Sequence, residues 1–343
     1  LRRENYKKTH PVRNSILIIL GILLVFGIVF GVHKYQSIKN AVGNSYQSAG
    51  IKKQRDVNNE ISQKKPISIL LLGTDTGALG RSYKGRTDSM MVVTINPQTN
   101  KTTITSVPRD TAVTIPGYEK ESPSKINAAY AFGKAGTAIN TVQDVFNIPI
   151  DFYALINMGG MEKVVNEVGG VDISPTLSFK YEGFTFTKGE KTHMNGAKAL
   201  AYSRMRYDDP QNDYGRQTRQ RQVLMAIVGK SGSISALLNK DFIQSISSQT
   251  QTDLTFNNLV SLAQNYRGAL KNVSETHAQG HGQMVNGQSM EIMPTTELQR
   301  VTDFIRDGLS LPKAKTGDAA LSGSVANSDS NSNVEQANVN AGN

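Results

Sequence analysis

The chain contains no cysteine, which excludes disulfides and thiolate metal sites. That absence suits an extracellular compartment without fixing one. Acidic residues are in deficit: 28 Asp and Glu stand against 38 Lys and Arg, leaving a net charge of +10. This balance suits nucleic acid, anionic lipid or a phosphorylated polymer as partner. There is no internal repeat. The pattern Gly-x-x-x-x-Gly-Lys-Ser/Thr is missing, so a nucleotide P-loop is not supported. Gly-x-Ser-x-Gly is missing too, and Ser and His show no hydrolase arrangement. His277 and His281 are four apart, a spacing that aligns ligands on a helix and not in this Gly-rich strand or loop. Chemistry is left to carboxylates and to an abundance of arginine.

What is present begins with residues 1–14, where Arg2, Arg3, Lys7, Lys8 and Arg13 oppose Glu4 alone. The uncharged run Ile16–Val32 follows. With its flanks it approaches the hydrocarbon thickness that about 20 helical residues span. A buried core helix would show a polar face, and this run has none. A cleaved signal would have a shorter apolar region, roughly 7–15 residues, with a small-residue cleavage site close behind. Residues 15–33 are therefore expected to form a single transmembrane signal anchor. The basic flank holds the N-terminus in the cytoplasm and puts the rest outside, a single-pass type II protein of the cell membrane. An outside domain cannot meet the chromosome, which removes nucleic acid from the partners. Residues 34–65 read as an extracellular juxtamembrane stalk, 66–310 as a globular domain and 311–343 as a disordered Ser/Asn/Ala/Gly-rich tail.

Within the domain, Ile67–Leu72, Ser89–Ile95 and Thr102–Val107 are short, nearly continuous apolar runs, as in strands covered on both faces. Lys125–Asn147 reads as a helix, Phe152–Ile156 as a strand and Met161–Val168 as a short helix. Val171–Ile173 and Phe184–Phe186 read as strands around a hairpin, and Gly196–Ser203 as a helix. Helices are expected at Ile234–Leu238, Phe242–Ser248 and Leu254–Tyr266, a strand pair at Ser274–His277 and Gly287–Ile292, and a last helix at Glu297–Leu309. Strands alternating with helices predict a three-layer α/β or α+β domain.

The stretch Tyr202–Arg221 gathers Arg204, Arg206, Arg216, Arg219 and Arg221 around Asp208, Asp209 and Asp213. If Asp213 opens a helix, Val223, Leu224, Ile227 and Val228 mark its buried side. Arg216 and Gln220 then share that stripe, Arg219 lies at its margin and Arg221 points away. An arginine on a core-facing stripe needs a buried anion to meet it. Arg204 and Arg206 share a face if their segment is extended. Cations converging in this way suggest a phosphate or pyrophosphate site. Asp75 and Asp88 both flank apolar strands, where α/β folds put their ligand crevice. Two carboxylates leave a hard cation open positions, which suits Mg²⁺ shared with substrate phosphates.

Leu72-Gly-Thr-Asp75, Arg86-Thr-Asp-Ser-Met90, Val107-Pro-Arg-Asp110, Lys125-Ile-Asn127, Val168-Gly-Gly-Val-Asp172 and Tyr202-Ser-Arg-Met-Arg206 with Asp213-Tyr-Gly-Arg216-Gln-Thr-Arg-Gln220 occur in that order. With the N-terminal anchor they resemble the LytR-CpsA-Psr family of Gram-positive envelope proteins, from about Pro66 to the helix near Leu309. The resemblance implies a central mixed sheet between helices, with an apolar channel for a polyprenyl chain. It implies a phosphotransferase that moves a glycopolymer, wall teichoic acid or capsule, from undecaprenyl pyrophosphate to peptidoglycan. It carries Mg²⁺, with Mn²⁺ as the alternative ion, onto Asp75 and Asp88. It carries pyrophosphate binding onto Arg109, Lys125, Arg204, Arg206, Asp213, Arg216, Arg219 and Gln220, with Asp75, Arg109 and Arg204 as the catalytic residues. Hydrolysis of the pyrophosphate by water, or a non-enzymatic role as a membrane-bound envelope regulator, are the competing functions.

Overall fold

A computed structural model describes residues 42–74, 85–230 and 249–322. The expected anchor, Asp75, the helices at Ile234–Leu238 and Phe242–Ser248, and the tail beyond Ser322 lie outside the described residues. Among those described, no helix is long and apolar enough to cross a membrane.

Helix α1 (Val57–Ser62) precedes strands β1 (Ile67–Thr74), β2 (Ser89–Asn96) and β3 (Lys101–Ser106). Two short strands, β4 (Ala112–Val113) and β5 (Ser124–Lys125), lead into α2 (Ala128–Phe146). Strand β6 (Phe152–Asn157) runs directly into α3 (Met158–Glu167), whose first turn is capped by the Asn157 side chain accepting from Gly160 N. Four short strands follow: β7 (Val171–Ile173), β8 (Phe179–Tyr181), β9 (Phe184–Phe186) and β10 (Thr192–Met194). Next come α4 (Gly196–Arg204), capped by Asn195, and α5 (Asn212–Lys230), which holds most of the arginine stretch. The chain closes with β11 (Thr250–Thr252), α6 (Phe256–Asn265), β12 (Val273–His277), β13 (His281–Val285), β14 (Gln288–Ile292) and α7 (Thr295–Gly308).

The central sheet is mixed and runs β11-β6-β1-β2-β3-β12, with β6 parallel to β1 and β12 parallel to β3. Strand alternation explains the continuous apolar runs. Leu70, Leu72, Val92, Tyr153 and Leu155 pack on one face against α2 and α7. Leu71 pairs in register with Met91 and Ala154, and this opposite face meets α3, α4 and α5. Each fully buried side chain such as Leu70 contributes roughly 1.5–3 kcal/mol. A second core lies away from the sheet, where Phe179, Phe186, Tyr202, Met205 and Val223 join α4 and α5 to the short strands.

Several expectations are corrected. Val171–Ile173 pairs with Thr192–Met194 across the intervening residues 174–191, while Phe184–Phe186 pairs with Phe179–Tyr181 across the Glu182-Gly183 turn, where both residues have positive φ. Ser274–His277 joins the central sheet beside β3, while Gln288–Ile292 pairs with β13. The helix expected from Lys125 starts at Ala128 and is broken at Gly133 and Lys134, the latter at φ 60°. Of the expected stalk, residues 42–65 lie on the domain. Arg55 pairs with the buried carboxylate of Asp151, Ile61 enters the core, and Tyr153 OH donates to Gln47 O at 2.8 Å. The expected tail is held as far as Ser322: Thr114 N donates to Ala319 O at 2.7 Å and Leu321 N to Ala112 O at 3.0 Å. Its small residues are what let it approach. A Cβ on Gly317 would stand 1.7 Å from Asp144 O.

Candidate active site

The site is assembled at the edge where β1 and β3 end and β2 begins. Asp88 N donates to Gly73 O at 2.8 Å, closing the β1–β2 ladder just before the chain continues to Asp75. Val107 N donates to Met90 O, which brings the Pro108-Arg109-Asp110 turn alongside Asp88. Arg109 Nη1 donates to Asp88 Oδ1. Lys125, on β5, reaches Asp110 with its Nζ 2.8 Å from Oδ1. From the other side α5 inserts Arg216, 8 % exposed, whose Nη2 donates to the Asp88 carbonyl at 3.2 Å and pairs with Asp213 at 2.5 Å. Burial pulls the Arg216 guanidinium below its ordinary value. Arg109 and Arg206 push the same way, while Asp213 and Asp88 oppose.

Beside this cluster is a cavity of about 270 Å³ between the sheet and helices α3, α4 and α5. Leu71, Met91, Ile156, Met161, Leu224 and Ile227 give it apolar walls, and Asp88, Arg204 and Gln220 mark its polar end. Several buried polar atoms around it have no hydrogen-bond partner among the described residues: Arg109 Nε, Arg216 Nε, Gln220 Oε1, Asn127 Oδ1 and Thr87 Oγ1. An unpaired buried polar group costs about 1–3 kcal/mol. Two guanidinium Nε–H groups without a hydrogen bond at one place, that of Arg109 being 3.8 Å from Asp110 Oδ2, suit an anion rich in oxygen.

The expected residues divide. Asp88, Arg109, Arg216 and Asp213 are in direct contact, and Lys125 joins them through Asp110. Arg204 and Gln220 line the cavity that Asp88 also lines. Arg204 is not on an extended segment: it ends α4, and its Nη1 is 2.7 Å from Glu182 Oε1 on the β8–β9 turn. Arg206 lies with its guanidinium 4.7 Å from the Tyr207 ring centre. Arg219 is not at the site. At 1 % exposure it binds Asp209 and donates to the carbonyls of Tyr202 and Met205. Arg221, expected to point away, is 4 % exposed and donates to Ser106 Oγ at 2.9 Å and to Glu275 at 3.1 Å. The apolar stripe misled because α5 is covered on several sides. Leu224, Ile227 and Val228 are only half-buried, while arginines fill the closed flanks. Glu182 had no sequence signal, and Thr87 and Asn127 had none beyond their places in Arg86-Thr-Asp-Ser-Met90 and Lys125-Ile-Asn127.

Carboxylate and hydroxyl oxygens are the donor type that a hard divalent cation takes. Asp88 supplies one carboxylate, with Thr87 Oγ1 unpartnered next to it in the chain. Among the described residues no group of three His, Asp or Glu side chains is gathered for an ion. The described donors therefore fit an ion held by one or two carboxylates and completed by substrate oxygens.

Arginines and Asp88 thus stand at one end of an apolar cavity within a mixed α+β fold. The chain belongs to the LytR_cpsA_psr family, whose family model matches residues 31–306. It is 40% identical over 297 residues to a polyisoprenyl-teichoic acid–peptidoglycan teichoic acid transferase, TagU, of Enterococcus faecalis, covering 85% of this chain and 96% of that one. Protein gbs0355 from Streptococcus agalactiae superposes with a TM-score of 0.71 at 34% identity, over 81% of this chain and 99% of that one. TagT bound to LIIa-WTA superposes with a TM-score of 0.64 at 26% identity, over 78% of this chain and 99% of that one.

Proposed function

We propose that this chain is a transferase that moves an anionic glycopolymer, of wall teichoic acid or capsule type, from an undecaprenyl pyrophosphate carrier to peptidoglycan through a phosphodiester link. One observation carries the reading: the apolar cavity ends at Asp88, Arg204 and Gln220, beside the Nε–H groups of Arg109 and Arg216 that make no hydrogen bond among the described residues. The relatives support it, being named as teichoic acid transferases, with one solved structure bound to a wall teichoic acid precursor. The apolar walls suit a polyprenyl chain and the arginines suit its pyrophosphate.

Phosphoryl transfer asks for positioning and charge neutralisation more than covalent catalysis. Arg109 and Arg216 would hold pyrophosphate oxygens, exchanging contacts now made with Asp88 and Asp213. Lys125 and Arg206 would extend the grip, and Arg204 would leave Glu182 to join them. A peptidoglycan sugar hydroxyl attacks the sugar-side phosphorus, and the new P–O bond forms as the bond to undecaprenyl phosphate breaks. Asp75 and Asp88 would hold Mg²⁺ or Mn²⁺, which when bound would supply charge neutralisation. A metal-held carboxylate is a poor base, so the hydroxyl's proton passes to water or to the departing undecaprenyl phosphate rather than to either aspartate. The function suits the expected cell-membrane location, with the domain on the outer side.

The test is product analysis with a polyprenyl-pyrophosphate-linked glycopolymer, with and without peptidoglycan, in Mg²⁺ and in excess chelator. Phosphodiester-linked polymer formed only with peptidoglycan and metal supports the proposal. Equal release of phosphorylated polymer in the absence of peptidoglycan makes the enzyme a hydrolase. Undiminished turnover in chelator removes the metal.

A further inference from the structure

Four large apolar side chains are exposed among the described residues, and Tyr207, at 83 %, is the most exposed. It alone stands in the arginine stretch. Its loop is pinned from within: Arg219 binds the carbonyls of Tyr202 and Met205 on one side and the Asp209 carboxylate on the other. Asp209 N also donates to Arg206 O at 3.3 Å. Arg206 covers one face of the ring, with its guanidinium carbon 4.7 Å from the ring centre, and the rest of the ring is open. Arg204, three residues earlier in the chain, lines the polar end of the cavity, which puts the loop that follows it at the rim of the site. An exposed aromatic on a flexible loop is ordinary surface. One held on a fixed loop beside a charge cluster presents a ready-made flat face at low entropic cost.

We infer that Tyr207 is a stacking platform for a pyranose ring, with Arg206 as its backing. Sugar C–H bonds are weakly positive and meet the negative face of an aromatic ring. The inference rests on the proposed function, in which two sugars meet at the phosphorus: the first sugar of the donor and the acceptor sugar of peptidoglycan.

The experiment measures binding of farnesyl pyrophosphate and of a polyprenyl pyrophosphate bearing one N-acetylhexosamine, together with KM for soluble peptidoglycan, in wild type, Tyr207→Ala and Tyr207→Phe. Stacking of about 0.5–1.5 kcal/mol predicts a loss of about 2- to 12-fold in Tyr207→Ala. Tyr207→Phe keeps the wild-type value. A loss confined to the sugar-bearing lipid assigns the platform to the donor sugar, and a raised KM for peptidoglycan alone assigns it to the acceptor. No change in either, or an equal loss for farnesyl pyrophosphate, overturns the inference. Failure of the wild type to bind farnesyl pyrophosphate overturns the underlying pyrophosphate reading and this inference with it.

Discussion

Arg216 is buried and its charge is disfavoured by burial, with Asp213 as its paired carboxylate. Replacing a whole buried ion pair by apolar packing is often neutral for the fold, and here the remaining partner, Asp213, keeps 26 % side-chain exposure and can be solvated. Arg216→Leu should therefore leave the denaturant midpoint near the wild type while turnover falls. Losing one preorganised charge contact to a transferring phosphoryl group costs about 3–4 kcal/mol, roughly a hundred- to thousand-fold. Arg219, one turn further on, should behave in the opposite way. Arg219→Ala strands the buried Asp209 and two carbonyls, so unfolding measurements should show a loss of about 3–5 kcal/mol. Gly215 belongs to the same pair, since a Cβ there would meet Asp209 Oδ2 at 1.8 Å. His277 offers a pH readout. Burial lowers its pKa below 6.5, Arg221 and Arg300 add to this, and the Gln279 hydrogen bond and Glu297 oppose. The Tyr214 ring packs against it at 5.3 Å between ring centres. As pH falls through 6.5 the unfolded chain takes up a proton that the folded chain does not, so stability falls. His277→Gln should lack this component when urea midpoints are compared above and below that pH.

At the scale of elements, helix α5 is the clearest case of a part that does two jobs. Its Arg221 and Val223 fasten it to the sheet edge and the second core, and Arg216 reaches the site from that fixed base. The strap of residues 312–322 is the other informative element. Its contacts are main-chain hydrogen bonds to residues 112–114, Thr316 Oγ1 donating to Val145 O, and Ala320 buried at 7 %. A chain ending at Pro312 should unfold at lower temperature than one ending at Ser322. Equal melting temperatures would show that the strap contributes nothing to the fold. Sequence composition could not reveal this element, because backbone hydrogen bonds leave no residue signature. The main strands were readable because burial on both faces demands apolar runs. Val171–Ile173 and Phe184–Phe186 were readable as strands, but their partners Thr192–Met194 and Phe179–Tyr181 were not, because triplets this short carry too little hydrophobic pattern to set pairing.

For the molecule as a whole, the distribution of charge and apolarity sets the expected arrangement. A net +10 chain with the uncharged run Ile16–Val32 behind a basic segment should keep its domain on the outer face of an anionic membrane. A reporter fused after Asn343 should be accessible in intact cells, and protection until lysis would refute the topology. The site then faces a lipid-borne substrate from the side where peptidoglycan lies. The apolar cavity and the arginines share elements: α4 and α5 line the cavity and carry Arg204 and Arg216, while Arg109 comes from the turn after β3.

By itself the sequence determined the main strands and helices. Apolar runs and helix phase are local features that singled out Asp88, Arg216 and Gln220, and the family's ordered motifs added Arg109 and Lys125 to the candidate site. Only the tertiary structure decided which arginines are chemical and which are structural. Arg216, Arg219 and Arg221 share one short segment, and nothing local distinguishes an arginine facing an unfilled anion site from one already neutralised by a carboxylate. Asp209 and Glu275 make that difference for Arg219 and Arg221. Glu275 lies 54 residues from its partner along the chain, beyond the reach of any local pattern.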